Sequence, residues 1–442
     1  MVDSQRSSLP PGDFGLPFIG KTLSFFTDPD FASKEHAKYG SLFKTRLLNQ
    51  PTVFIKGPDA IRFLFAQESD RITITWPDSV KALLGPLSLA LQTGDVHAGR
   101  RRLMAQAFQP RALEGYIDTM VSISDRYFQQ WTQISAHNGS LTWYPQLRRY
   151  TFDIACKLLV GLDHASETEL GDLFEVWGAG LFSLPVNLPW TAFGRARRSR
   201  DRLLEALEKL ICDRKQSTYA SATPDALELL LTAKDDDGKS LTIEELKDQV
   251  LLLLFAGHET LTSALTSFCL LIAQNPEIRE KAKTEQNNLE DERLTLETLK
   301  QMTYLEQILK EVLRQVPPVG GGFRQVLETC EFGGYQIPAG WMILYQIKQT
   351  HQEPDIYTQP EQFNPERFEL EQSEQKRKPF SYIPFGGGIR ECIGKEFARL
   401  EMKLFASKLL RNHHWELLPN QNLEFTIAPT PVPKDSLKVK FF

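Results

Sequence analysis

The chain has 442 residues, 41% hydrophobic and 24% charged, the balance of an ordinary globular protein rather than a disordered or fibrous one. A formal net charge of −5 and the lack of a basic tail leave no field to attract nucleic acid. Five cysteines, at 156, 212, 269, 330 and 392, show no CxxC spacing, which argues against a disulfide framework or a zinc site and fits a reducing cytoplasm.

Residues 1–30 hold no apolar run long enough to cross a bilayer or form a signal core, so no membrane anchor is expected. Residues 42–55 carry two β-prone runs around Asn49, Gln50 and Pro51, which predicts a hairpin at the edge of a small sheet. From there to about residue 315 the pattern is mainly helical. His97 and Arg101 lie four apart on one helical face, a geometry that can hold a carboxylate from two sides. Thr242, three residues ahead of Glu245, predicts a capping box that opens a long helix running to about Asn275 and Pro276. Its apolar stretch at 250–256 is too short to span a membrane and sits among Glu244, Glu245, Asp248 and Glu259, so a buried helix across the middle of the protein is expected.

Within that helix stand Ala256, Gly257, His258, Glu259 and Thr260. A Thr hydroxyl bonding the carbonyl four residues back bends a helix and leaves room for water; the same residues also suit a kinked helix with an exposed Glu. Residues 304–316 predict an amphipathic helix, with Leu305, Ile308, Leu309 and Val312 on one face and Pro317-Pro318 as its stop. Glu311 and Arg314 share a face of it and can pair, either in a desolvated spot or as a surface salt bridge. Gly333-Gly334 predicts a two-residue hairpin, followed by a strand at 341–347. Residues 354–385 read as a long ordered connection, with a charged loop at 369–378.

The decapeptide Phe385-Gly386-Gly387-Gly388-Ile389-Arg390-Glu391-Cys392-Ile393-Gly394 is the most informative stretch. Its three glycines permit backbone conformations and a close approach to a flat cofactor that other residues block. Ile393, Phe397, Leu400 and Leu404 recur at helical spacing, which places Cys392 at a helix N-terminus, where N–H groups favour the thiolate that an iron takes as ligand. Taken alone, Cys392 also fits a buried structural cysteine.

The decapeptide resembles the FxxGxRxCxG haem-binding signature of the cytochrome P450 family, matched at Phe385, Gly388, Arg390, Cys392 and Gly394. The resemblance implies that Cys392 is the axial ligand of a haem b iron, that Phe385 packs beside it and that Arg390 contacts a propionate. Glu311 with Arg314 resembles the family's ExxR pair, and Arg367 takes the place of a third member that completes a structural triad. The 256–260 segment resembles the oxygen-activating AGxET stretch, which implies that Glu259 and Thr260 relay protons beside Ala256 and Gly257. His97, Arg101 and Arg324 fall where the family grips its propionates. The implied fold is mainly α with small β-sheets (α+β), the haem lying between the central long helix and the Cys-loop helix. One domain over 1–442 is expected, with a β-rich part at about 40–75, a helical core at about 80–316, and β segments with the Cys loop at about 317–442.

Residues 317–324, 182–189 and 75–77 look like the retinoic acid-hydroxylating branch and its soluble cyanobacterial relatives. Trp76, Phe182, Leu184, Pro185, Val319, Gly321, Phe323 and Thr430 are expected to form an apolar channel for a long hydrophobic molecule, although such stripes also serve as core. The glycines after Val319 would let a bulky cyclic end group approach the iron. The implied function is a haem-dependent monooxygenase acting on retinoic acid or a related retinoid. A fatty acid or terpenoid hydroxylase, a peroxygenase and a non-catalytic haem or retinoid binder are the alternatives. No nucleotide fingerprint occurs, so electrons are expected from an external ferredoxin or flavodoxin. Arg100, Arg102, Arg111, Lys395, Arg399 and Lys403 either steer that acidic donor or are solvated surface charge.

Overall fold

Alternation of successive side chains between two buried faces organises the central strands of the β-rich part of the computed structural model, which describes residues 8–47, 49–68, 70–216, 223–235, 237–289, 293–369, 378–426 and 430–442. The chain forms two compact units, one of Met1–Pro77, Leu313–Cys392 and Thr426–Pro431, the other of Asp78–Val312, Ile393–Phe425 and Val432–Phe442.

In the first unit, Leu42–Leu47 and Gln50–Ile55 pair as the expected antiparallel hairpin, turning at Asn49 (φ 62°). Gln50–Ile55 then runs parallel to Met342–Gln346, which pairs antiparallel with Gly321–Val326, itself antiparallel to Ile72–Ile74. The result is a five-stranded mixed sheet with Leu42–Leu47 at one edge. Leu42, Val53, Ile55, Ile343 and Tyr345 enter one buried cluster, while Phe43, Phe54 and Leu344 enter another, where Phe43 stacks on Phe54 at 4.7 Å. Burying each such side chain contributes about 1.5–3 kcal/mol. Gly333 and Gly334, at φ 61° and 81°, close the expected hairpin between Cys330–Phe332 and Tyr335–Ile337.

The second unit is mainly helical. The capping box forms: the Thr242 hydroxyl accepts from the Glu245 N–H (3.2 Å), and the Glu245 carboxylate accepts from the Thr242 N–H (2.9 Å). The helix it opens, Ile243–Gln274, is the only one among the described residues long and apolar enough to cross a membrane, yet 72% of its most apolar stretch is buried within the protein, as in a core helix. Pro110–Asn138, Trp143–Val160 and Lys395–Asn412 contribute the aromatic cluster of Trp131, Tyr150 and Phe405 to the same unit. Trp415 donates its indole N–H to the Cys269 carbonyl (3.0 Å), tying a three-stranded sheet to the long helix. The helix Thr303–Gln315 ends just ahead of Pro317-Pro318 as expected. Of the expected charged loop, 370–377 lie outside the described residues.

Candidate active site

The Cys392 loop is shaped by its glycines. Gly386 and Gly388 adopt the left-handed region (φ 69° and 64°), and a Cβ on Gly387 would come within 2.5 Å of the Phe65 ring. The Cys392 N–H donates to the Phe385 carbonyl at 2.9 Å and closes the loop. Cys392 is exposed, whereas Cys156, Cys269 and Cys330 are buried and Cys212 is half-buried. The following helix starts at Lys395 with Gly394 as its N-cap, so Cys392 lies two residues ahead of the cap rather than within the first turn. The macrodipole acts within the first turn, so its effect on the sulfur is weaker than the sequence pattern suggests.

Arg314 is fully buried, and its guanidinium donates to the carbonyls of His351 (2.9 Å), Pro360 (2.7 Å) and Gln362 (3.3 Å). Arg367 donates to Thr358 (2.7 Å), Gln359 (2.9 Å) and the same Gln362 carbonyl (3.2 Å). Glu311, one turn ahead of Arg314, is fully buried as well. His351 adds a link invisible in the sequence: one ring nitrogen bonds the Arg314 carbonyl (3.3 Å) and the other accepts from the Ile383 N–H (2.8 Å), just ahead of the cysteine loop. Burial, and then the Arg314 charge, hold the ring neutral, with its pKa pushed down to about 3.

Arg324 is buried and pairs with Glu68 at 2.5 Å, both side chains being 3% exposed. The charge that the resemblance assigns to a propionate is therefore already matched by a carboxylate. Trp76 follows the strand that pairs with Gly321–Val326, and Thr75 donates to the Phe323 carbonyl (3.4 Å), so the structure brings Trp76 and Phe323 into one neighbourhood. The glycines after Val319 have local reasons. A Cβ on Gly321 would meet the Tyr345 carbonyl at 2.1 Å, one on Gly322 would meet the Tyr345 ring at 2.6 Å, and only Gly320 has open space around it. Val319 is exposed, and Thr430 is buried with no hydrogen-bond partner for its hydroxyl among the described residues.

In the second unit, Ala256 is exposed and Gly257 and Thr260 are half-buried, midway along a helix otherwise almost wholly buried. The Thr260 hydroxyl donates to the Ala256 carbonyl at 2.7 Å, the bond expected. Glu259 is buried and takes a hydrogen bond from Arg148 (2.6 Å), whose other terminal nitrogen lies 3.6 Å from the exposed Glu175. The alternative of an exposed Glu259 is thereby set aside. Burial, and then the Glu259 charge, push the Tyr144 phenol up to about 12. His258 is buried beside Thr151 (2.8 Å), which also bonds Thr262 (2.7 Å); burial and Arg148 hold its pKa well below the usual value. His97 is buried and Arg101 half-buried on Gly94–Ala105. Phe182 is half-buried, while Leu184 and Pro185 belong to an exposed run. Among the cations, Arg100 pairs with Glu245, and Arg399 (2.6 Å) and Lys403 (3.0 Å) both clamp Glu306; Arg102 and Arg111 are exposed and Lys395 is half-buried.

Sequence reasoning passes over Glu68, Arg148, Glu175 and His351, whose partners lie far along the chain and leave no local spacing to read.

The residues fit a haem. A loop kept thin by glycine presents an exposed cysteine, and the long helix offers a stripe of small residues where a Cβ on Gly257 would meet nothing closer than Leu159, at 3.9 Å. Comparison with known proteins agrees. The cytochrome P450 family model matches residues 10–441. The putative cytochrome P450 120 of the cyanobacterium Synechocystis is 52% identical over 433 residues, 98% of this chain and 96% of that protein. Mouse cytochrome P450 26B1 is 36% identical over 452 residues, 99% of this chain and 88% of that protein. The solved structure of retinoic acid-bound cyanobacterial CYP120A1 superposes with a TM-score of 0.93 at 51% identity, covering 98% of this chain and 99% of that one. With glycine loop, buried arginine hub and acid–alcohol helix all carried on one continuous match, the chain belongs to the cytochrome P450 family of haem-dependent monooxygenases.

Proposed function

We propose that this protein hydroxylates retinoic acid or a closely related retinoid, consuming O2, two electrons from an external ferredoxin or flavodoxin, and two protons, and releasing the alcohol and water. The observation that carries the reading is the likeness to CYP120A1, whose solved structure holds retinoic acid. Haem, when bound, would supply O2 activation, and the Cys392 thiolate would hold its iron. Every other contribution comes from the chain. Phe385 receives the Cys392 N–H and sets the loop; His97, Arg101 and Arg390 supply positive charge for the propionates, with Arg324 sharing its charge between Glu68 and a propionate. Gly388 and Gly394 keep the loop thin.

Thr260 holds a proton at its hydroxyl, and Glu259, fixed by Arg148, replenishes it; Ala256 and Gly257 leave the space beside them. Arg148 also lies 3.6 Å from the exposed Glu175, so the cation that fixes Glu259 is itself anchored from the surface side. Trp76, Phe182 and Phe323 supply apolar surface for the polyene, and the Thr430 hydroxyl, buried with no hydrogen-bond partner among the described residues, suits a polar end of the ligand. Arg314 and Arg367 brace the 351–362 segment that leads to the cysteine loop through buried hydrogen bonds, with Glu311 buried one turn ahead of Arg314.

Titrating the ferric holoprotein with retinoic acid is the test. The expected result is a low-to-high-spin Soret shift and, with a reducing partner, a product one oxygen heavier. A shift with fatty acids and none with retinoids would overturn the substrate assignment.

A further inference from the structure

Glu68 is exceptional among the buried acids. Its carboxylate pairs with Arg324 at 2.5 Å, yet its second oxygen, Oε2, is buried with no hydrogen-bond partner among the described residues. No other ion-paired carboxylate among them keeps a buried oxygen unbonded. Comparable pairs satisfy both oxygens. Asp248, paired with Arg200, takes its other bond from the Leu87 N–H (3.2 Å). Asp153, paired with Arg126, takes it from the Ser166 N–H (2.8 Å), and Asp225, paired with Arg214, from the Glu228 N–H (2.9 Å). Glu68 is also the C-cap of the helix Pro58–Gln67, the end at which the helix dipole disfavours an anion. A buried unbonded oxygen and an opposing dipole both cost stability, so stability alone does not account for this carboxylate.

The unbonded oxygen is aimed at the cysteine loop. A Cβ on Gly388 would lie 2.9 Å from Glu68 Oε2, one on Gly387 would lie 2.5 Å from the Phe65 ring, and one on Gly386 would lie 3.6 Å from the Tyr345 hydroxyl. Three successive glycines of the loop therefore rest on one surface. Arg324 is fixed within that surface: it donates to Glu68 and to the Phe323 carbonyl (3.0 Å), and its guanidinium centre sits 5.2 Å from the Tyr345 ring centroid.

We propose that Glu68 is a positioning residue that also sets the reduction potential of the haem. It holds the Arg324 guanidinium in place for a propionate. Its own charge, set against the loop four residues before Cys392, opposes the single electron that converts ferric to ferrous iron on delivery from the external donor. A unit charge acts strongly where water is excluded, and groups outside the ligand set tune a bound metal. Glu68 and Arg324 act in opposite senses, so the pair holds the potential between the values that either charge alone would give. The inference rests on the haem site and not on which molecule is oxidised.

The test is the midpoint potential of the purified holoprotein, measured by spectroelectrochemistry. Glu68→Gln should raise the ratio of ferrous to ferric protein at a fixed poise about tenfold, which is about 59 mV for one electron. Arg324→Gln should lower it by a similar factor. The double variant Glu68→Gln/Arg324→Gln keeps the net charge of wild type and should return to within about twofold of it. Glu68→Asp keeps the charge and should stay within about threefold. The ferrous carbon monoxide Soret band of each variant reports the haem-thiolate site separately. If Glu68→Gln takes up no haem, Arg324→Gln and the double variant still differ in the Glu68 charge alone, and the double should lie about tenfold higher. The proposal is overturned if Glu68→Gln keeps the wild-type midpoint with its Soret band intact, if the double variant matches Arg324→Gln, or if both single variants shift in the same direction.

Discussion

Glu401 lies on the helix after the cysteine at 1% exposure, and neither carboxyl oxygen has a hydrogen-bond partner among the described residues. Burial raises its pKa well above the usual carboxylate range, so the folded protein keeps it protonated where the unfolded chain ionises it. The folded state then binds more protons, and stability falls as pH rises from the unfolded value toward the raised one, at up to roughly 1.4 kcal/mol per pH unit. Glu401→Gln should flatten that slope. In thermal melts across pH 5 to 9, the variant should gain on wild type steadily toward alkaline pH; a constant offset would contradict a protonated Glu401. At Thr260 the prediction is chemical. Thr260→Val removes the hydroxyl that bonds Ala256 and should lower product formed per electron pair by about a hundredfold, with a matching rise in hydrogen peroxide, while Thr260→Ser retains most coupling. Equal coupling in the two variants would remove Thr260 from the relay.

Gly321 and Gly322 show how strand pairing, rather than ligand space, dictates residue choice. Gly322 faces the Tyr345 ring across the pair, and that ring is also held edge-on by Phe65 at 5.9 Å, so it has little freedom to yield. Gly322→Ala should therefore cost about 1–3 kcal/mol in denaturant unfolding, and Gly320→Ala less than about 0.5. Equal costs would mean the ring gives way. Elements whose signals are local were legible in the sequence: the Thr242 capping box, the Gly333-Gly334 hairpin, the proline stop after Gln315 and the Asn49 turn all depend on residues within a few positions of one another. The parallel pairing of Gln50–Ile55 with Met342–Gln346 was not, since nothing in either strand names its partner. The same holds for the site. The Cys392 loop and the 256–260 stripe announce themselves by spacing, whereas Arg148 on Glu259, Glu68 on Arg324 and His351 under the cysteine loop depend on the chain's long-range path.

Over the whole molecule, a net charge of −5 opposes the approach of an acidic electron donor, so docking depends on local exceptions to that field. Three of the six cations expected to steer it are already matched: Arg100 by Glu245, and Arg399 and Lys403 by Glu306, whose pKa these two charges hold below the usual value against the opposing effect of burial. Arg102 and Arg111 remain exposed on the surface. The two influences have different reach. At about 0.01 M salt the screening length is roughly 30 Å and the global repulsion is felt; at about 0.1 M it is roughly 10 Å and only the local arginines act; at about 1 M, roughly 3 Å, neither does. Reduction by an acidic ferredoxin, followed by stopped-flow formation of the ferrous carbon monoxide complex, should therefore rise and then fall with ionic strength. Arg111→Glu should abolish the maximum and slow the second-order rate by about tenfold near 0.1 M salt without altering the Soret band. A rate that declines monotonically from the lowest salt, in wild type and variant alike, would place the docking surface elsewhere on the protein.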